Sequence, residues 1–134
     1  GPAFGQAYPN KPITIIVPFA AGGPTDLMAR IVGERMGKEL GQQMIIENVT
    51  GAAGKIAMGK LARSAPDGYT IGIGHLGTNV VNGAIYKNLN YDLINDLTPI
   101  ALLPSNPLLV VTSNQVPAND MKELVAYLKD NADK

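Results

Sequence analysis

The run Ile13-Thr14-Ile15-Ile16-Val17 stops at Pro18, loosens through Ala20-Ala21-Gly22-Gly23, and restarts at Pro24-Thr25-Asp26 with a different period. Five continuous β-branched residues suit a strand buried on both faces, as in a parallel sheet covered by helices. Beyond it, apolar residues at 27, 28, 31, 32, 36 and 40 have the spacing of one helix face. Pro24 fits the first helical position, Thr25 or Asp26 puts an oxygen or a negative charge where the first amides point, and Gly41 fits a left-handed cap. The same change of period recurs twice. Residues 44–47 (MIIE) predict a second strand, followed by the turn Asn48-Val49-Thr50-Gly51-Ala52-Ala53-Gly54 and a helix over 55–64. Pro66-Asp67-Gly68 predicts a turn, 69–74 (YTIGIG) a third strand, and 79–86 a short helix entered through His75-Leu76-Gly77-Thr78-Asn79. Three strand–turn–helix units predict right-handed βαβ crossovers and a parallel sheet.

The pattern changes after residue 86. Residues 87–96 read as loop with at most one helical turn. The apolar runs 97–103 and 108–112, separated by Pro104-Ser105-Asn106-Pro107, predict two short strands or one strand with a break. A helix over 121–131 follows, capped by Asn119 or Asp120, with Leu124, Val125 and Leu128 inward.

In open α/β sheets, ligands sit where the strands end and the helices begin. The turns around Gly22 and His75 are expected at that end, where they could face one cleft. Gly22 and Gly23 let backbone N–H groups approach an anion with no Cβ in the way, and the helix dipole favours negative charge there. The alternative is a tight turn that needs glycine for geometry alone. The loop matches neither the P-loop nor the G-x-G-x-x-G fingerprint. Asp26 would repel a carboxylate and reads first as a helix-start stabiliser and loop organiser. His75, the only histidine, is placed either for a cleft contact or for a structural role. Asn48 and residues 50–54 read as a second turn with close helix packing, with an anion nest as the alternative. Tyr69 and Tyr86 read as packing residues, and Lys55, Lys60 and Arg63 as a solvated helix face.

Length and composition narrow the classes further. The 134 residues suffice for one ordinary domain with its own core. Eleven basic residues balance eleven acidic ones, which argues against a nucleic-acid partner. The absence of cysteine excludes disulfides and thiol catalysis, and no clustered ligands predict a metal site or a cofactor. No apolar run approaches the roughly 18 residues of a membrane span. A serine-nucleophile enzyme lacks its G-x-S-x-G elbow, and phosphoryl transfer lacks its loop lysine. Gly1-Pro2 reads as a protease-cleavage scar, so a targeting segment removed upstream is compatible with the sequence.

From Tyr8 onward, PITIIVPFAAGGPTDLMAR, ENVTGAAGKIAMGKLARSAPDGYTI and NLNYDLINDLTPIALL carry a resemblance that covers essentially the whole chain. The distinctive motifs are PF-x-AGG-x-x-D, N-x-x-GA-x-G, APDGYT and YD…DLTPI. The chain resembles the periplasmic solute-binding proteins of tripartite tricarboxylate transporters, the Bug or TctC family. The resemblance implies an α/β fold: a parallel-sheet βαβ lobe of a periplasmic-binding-protein-like (Venus-flytrap) protein, truncated here. Residues 1–7 would be scar and lead-in, 8–104 an incomplete lobe one lacking its returning segment, and 105–134 the crossover and the start of lobe two. It implies a small carboxylate ligand, a di- or tricarboxylate or an aromatic acid, delivered to membrane transporter subunits without covalent chemistry. A sensing module that signals to a membrane sensor is the alternative. Phe19, Ala20, Ala21, Gly22, Gly23, Thr25 and Asp26 match the family's first ligand loop, where amides meet the carboxylate and the aromatic ring packs on its body. His75, Gly77, Thr78 and Asn79 match the second. An unfinished sheet edge would also leave dimerisation or strand exchange open.

Overall fold

The computed structural model describes residues 7–105, 107 and 109–132. Gly1-Pro2, Asn106 and Leu108, at which one of the expected strands begins, lie outside them. The chain divides into two compact units, which part between Leu102 and Leu103.

The first unit is built on β1 (Ile13–Val17), β2 (Met44–Asn48) and β3 (Thr70–Gly72), a parallel sheet in the order β2-β1-β3. The register pairs Ile15 with Ile46 on one side and with Ile71 on the other. β1 is central and buried on both faces, as its uninterrupted β-branched run predicts. Ile15 and Val17 face helix α1 (Pro24–Leu40), packing with Ala29 and the half-buried Met44, Ile46, Ile71 and Ile73. Ile16 faces the other way, into a cluster with Ala57 and Met58 of α2 (Lys55–Ala62) and with Tyr91. Both faces of the sheet are therefore covered, one helix layer on each. At the amino end of the strands, Tyr8 donates to the Gly68 carbonyl (2.7 Å) and stacks edge-on against Tyr69, tying down the lead-in.

Helix α1 ends on Gly41 at φ 66°, the left-handed cap the sequence predicts. Its inward face is not the predicted one. Leu27 and Ile31 are more than half exposed, whereas Ala29 and Gly33 are buried. Small residues win this face because they let the backbone settle directly on the sheet. A Cβ on Gly33 would stand 3.2 Å from Ile15 Cδ1 and 3.3 Å from Met44 Cβ. Hydrophobic spacing reports that a helix has an apolar stripe; close packing decides which residues touch.

The third helix also differs from expectation. It opens as a π-helical turn, Gly77–Val81, before the single α-turn α3 (Asn82–Ile85). Between residues 97 and 112 the described residues form no strand, although two short ones are predicted there. An apolar run becomes a strand only when a neighbour completes its hydrogen bonds, and among the described residues none pairs with these runs; Leu102 is fully exposed.

The second unit contains α4 (Met121–Asp130). Asp120 caps it, accepting from Glu123 N at 2.8 Å, while Glu123 Oε2 accepts from Asn119 N at 2.7 Å. Leu124 is half-buried, but Val125 and Leu128, predicted to point inward, are exposed. No residue of α4 is buried.

Candidate functional site

Because the three strands are parallel, their carboxyl ends share one edge of the sheet, and the three strand-to-helix connections leave from it. The first and third meet through their rings. Phe19 and His75 lie with centroids 4.8 Å apart and planes tilted by 38°. Phe19 is half-buried and His75 exposed.

In the first connection Gly22 adopts φ 84°, a conformation natural to glycine. Its N–H is not left open. It donates to Asp26 Oδ2 at 2.8 Å, and the Gly23 N–H reaches Ala20 O at 3.4 Å. The cap position of α1 is Gly23, with no side-chain bond to it; of the two expected residues, Asp26 does bring its negative charge to the first turn. Asp26 is committed elsewhere. Only 2% exposed, it takes a two-pronged contact from Arg30 (Nε to Oδ2 2.9 Å, Nη2 to Oδ1 3.1 Å) and a bond from Asn48 Nδ2 to Oδ1 at 2.9 Å. Among the described residues, the exposed amides of Ala20 and Ala21 and the Thr25 amide in the first turn of α1 are left without an acceptor.

The Arg30 guanidinium, with the Gly22 and Asn48 donors behind it, holds the Asp26 carboxyl well below the usual carboxylate range. A depressed folded-state pKa stabilises the fold at neutral pH, and that contribution is lost as pH falls below about 4, where the unfolded carboxyl begins to protonate. Urea midpoints measured at pH 6 and pH 3 should therefore drop more steeply for the parent chain than for Asp26→Asn. Glu34, beside Lys38, and Asp92, beside Asn95, are lowered too and persist in the variant, so some acid sensitivity remains. Equal slopes in the two proteins would show that Asp26 is not held this way.

The third connection is organised by Thr78, fully buried. His75 N donates to Thr78 Oγ1 at 2.9 Å, and the hydroxyl in turn lies 3.1 Å from His75 O and 2.5 Å from Asn79 Oδ1. The Gly77 N–H donates to His75 Nδ1 at 2.8 Å, so Nδ1 carries no proton and the ring N–H is on Nε2.

The second connection packs between these two. Gly51, Ala52, Ala53 and Gly54 all have positive φ (116°, 47°, 53° and 82°). Two successive alanines in that region are uncommon and need outside support. Asn82 supplies it, donating from Nδ2 to Ala53 O at 3.0 Å. Tyr91 OH donates to Thr78 O at 2.6 Å and lies 3.3 Å from Asn82 Nδ2.

The sequence-predicted residues thus fall into two groups. Ala20, Ala21, Gly22 and His75 are exposed, with Phe19, Gly23, Thr25, Gly77 and Asn79 half-buried near them; Asp26 and Thr78 are buried and bonded to the loops they belong to. Sequence reasoning missed Arg30, Asn82 and Tyr91, and gave Asn48 no role toward the first connection. Arg30 stands four residues after Asp26, a spacing that signals a helical ion pair. No local pattern announces the other three. No group of three or more His, Asp or Glu side chains that could hold a metal ion forms among the described residues.

Residues 28–134 match the Tripartite tricarboxylate transporter family receptor, TctC. A UPF0065 protein of Bordetella pertussis is 42% identical over 132 residues, which make up 98% of this chain and 41% of that protein. Among solved structures, MatC from Rhodopseudomonas palustris with bound malate is 43% identical with a TM-score of 0.84, over 91% of this chain and 42% of that one. Rpa4515 of R. palustris with adipate is 32% identical with a TM-score of 0.87, over 93% and 42%. The chain spans about two-fifths of the length of the relatives it matches. A parallel βαβ lobe, three connections gathered at its carboxyl edge and a family match over four-fifths of the sequence lead to one assignment: the chain belongs to the tripartite tricarboxylate transporter receptor family, TctC.

Proposed function

We propose that this chain supplies the carboxylate-anchoring loops of a periplasmic solute-binding protein that delivers its ligand to the membrane subunits of a tripartite tricarboxylate transporter. The observation that carries the reading is the set of unused amides at Ala20, Ala21 and Thr25, beside the amino end of α1 and one ring's reach from His75. Main-chain N–H groups and a helix dipole together favour an anion. His75 Nε2–H adds a donor, and the Phe19 ring offers an apolar wall for the ligand's carbon chain. Gly22, Gly23, Asp26, Gly77, Thr78 and Asn79 shape the loops that present these groups. Malate and adipate, held by the two solved relatives, are both dicarboxylates. Residues 8–104 are read as the larger part of one lobe, and 105–134 as the passage to a second.

The test is isothermal titration of the full-length chain with malate, adipate, citrate, glutamate and benzoate, repeated with Ala21→Pro, which deletes one free N–H. Micromolar binding to one of these acids, weakened about tenfold or more by Ala21→Pro, is the expected result. Binding that Ala21→Pro leaves unchanged would move the carboxylate away from this loop. No binding by the parent protein to any of the five would overturn the carboxylate reading.

A further inference from the structure

We propose that Asn48 is a positioning residue of this site, a latch that fixes which way the Phe19–Ala20 peptide points. The inference rests on the carboxylate reading for its effect on affinity, but not for its structural content. Asn48 ends β2, and its half-buried side chain crosses to the first connection. There its two amide protons are divided: one goes to Phe19 O at 3.0 Å, the other to Asp26 Oδ1 at 2.9 Å.

A trans peptide is planar, with C=O and N–H on opposite sides. Holding Phe19 O inward against Asn48 therefore turns the Ala20 N–H outward. If the same peptide rotated by half a turn, it would aim a carbonyl at the space an anion would enter, and its N–H would face the donor Asn48 Nδ2. Asn48 also acts at one remove. Its second proton helps seat the Asp26 carboxylate, which holds the Gly22 N–H and so keeps that amide, and the turn behind it, in place. One side chain from the second βαβ unit thus sets the donor directions of the first.

Asn48→Ala removes both donors without adding charge, and Asn48→Asp replaces them with acceptors facing Phe19 O and the Asp26 carboxylate. In the full-length protein, Asn48→Ala should weaken malate or adipate binding about tenfold or more, and Asn48→Asp should weaken it further. The Val49 N to Val17 O bond at the end of the ladder should persist. A purely structural role would lower the thermal midpoint and leave affinity within twofold; that outcome overturns the latch. A second measurement does not depend on a ligand. In the unliganded protein, the Phe19 carbonyl carbon and the Ala20 and Gly22 amide resonances should shift or double in Asn48→Ala, while Ile15 and Ile46 on the ladder stay put. If those loop resonances are unmoved, the latch is wrong whatever the protein binds. If they move and none of the five acids binds the parent, the carboxylate reading falls and the latch stands.

Discussion

Replacing Gly54 with valine is expected to lower stability by about 2–5 kcal/mol, from positive-φ strain of about 1–2 kcal/mol and overpacking of about 1–3 kcal/mol. Gly54 has φ 82°, and a Cβ there would stand 2.4 Å from Thr78 Cγ2 and 3.2 Å from Pro18 Cβ. Pro18 belongs to the first connection and Thr78 to the third, and both are buried, so neither side chain has space to retreat. The branched side chain of valine worsens both terms. Gly41→Ala separates them, because Gly41 has φ 66° with open space around its Cβ position. It carries the strain without the collision, so about 1 kcal/mol is expected there. Urea denaturation of both variants gives the comparison, read as a change in midpoint at constant slope. A Gly54→Val midpoint no lower than that of Gly41→Ala would mean that the three connections are not in contact at this point.

Ile16→Ala should cost about 3–4 kcal/mol, within the range for truncating a large core aliphatic. Ile16 is fully buried at the centre of the sheet, packed with Ala57, Met58 and Tyr91. The cavity would open beneath Tyr91, whose hydroxyl holds the Thr78 carbonyl. The loss should therefore reach the carboxyl edge of the sheet as well as the core. Denaturant unfolding measures the first effect, and Tyr91 ring or hydroxyl resonances report the second. A cost below about 1 kcal/mol would show that the neighbours collapse into the space, or that this face of the sheet is not packed as described.

How much of this was legible from residues alone depended on how local the cause was. β1, the Gly41 cap and the start of α2 follow from adjacent residues: a β-branched run, a glycine, a turn before a helical spacing. The meeting of the first and third connections follows from topology, since parallel strands put like ends together. The inward face of α1 did not follow, because the period marks Leu27 and Ile31 as readily as Ala29 and Gly33, and only the sheet's proximity selects the small pair. The 97–112 runs carry strand-like composition with no partner to confirm it. The braces Asn48, Asn82 and Tyr91 were the least visible. Each joins a side chain to backbone in another segment, and the Asn82 and Asn48 bonds to backbone both span 29 residues.

That bracing changes what counts as a part. Asn48 serves the first connection, Asn82 the second, and Gly54 keeps clear the volume that Pro18 and Thr78 occupy. A loop cut from a relative with a different ligand and spliced in between its own strand and helix would arrive without its support. Grafts of the first connection should carry the residue at 48 with them, and grafts of the second the residue at 82. In directed evolution of such a receptor, the heritable module is the loop together with its distant brace, and recombination breakpoints placed between the two should be the ones that fail.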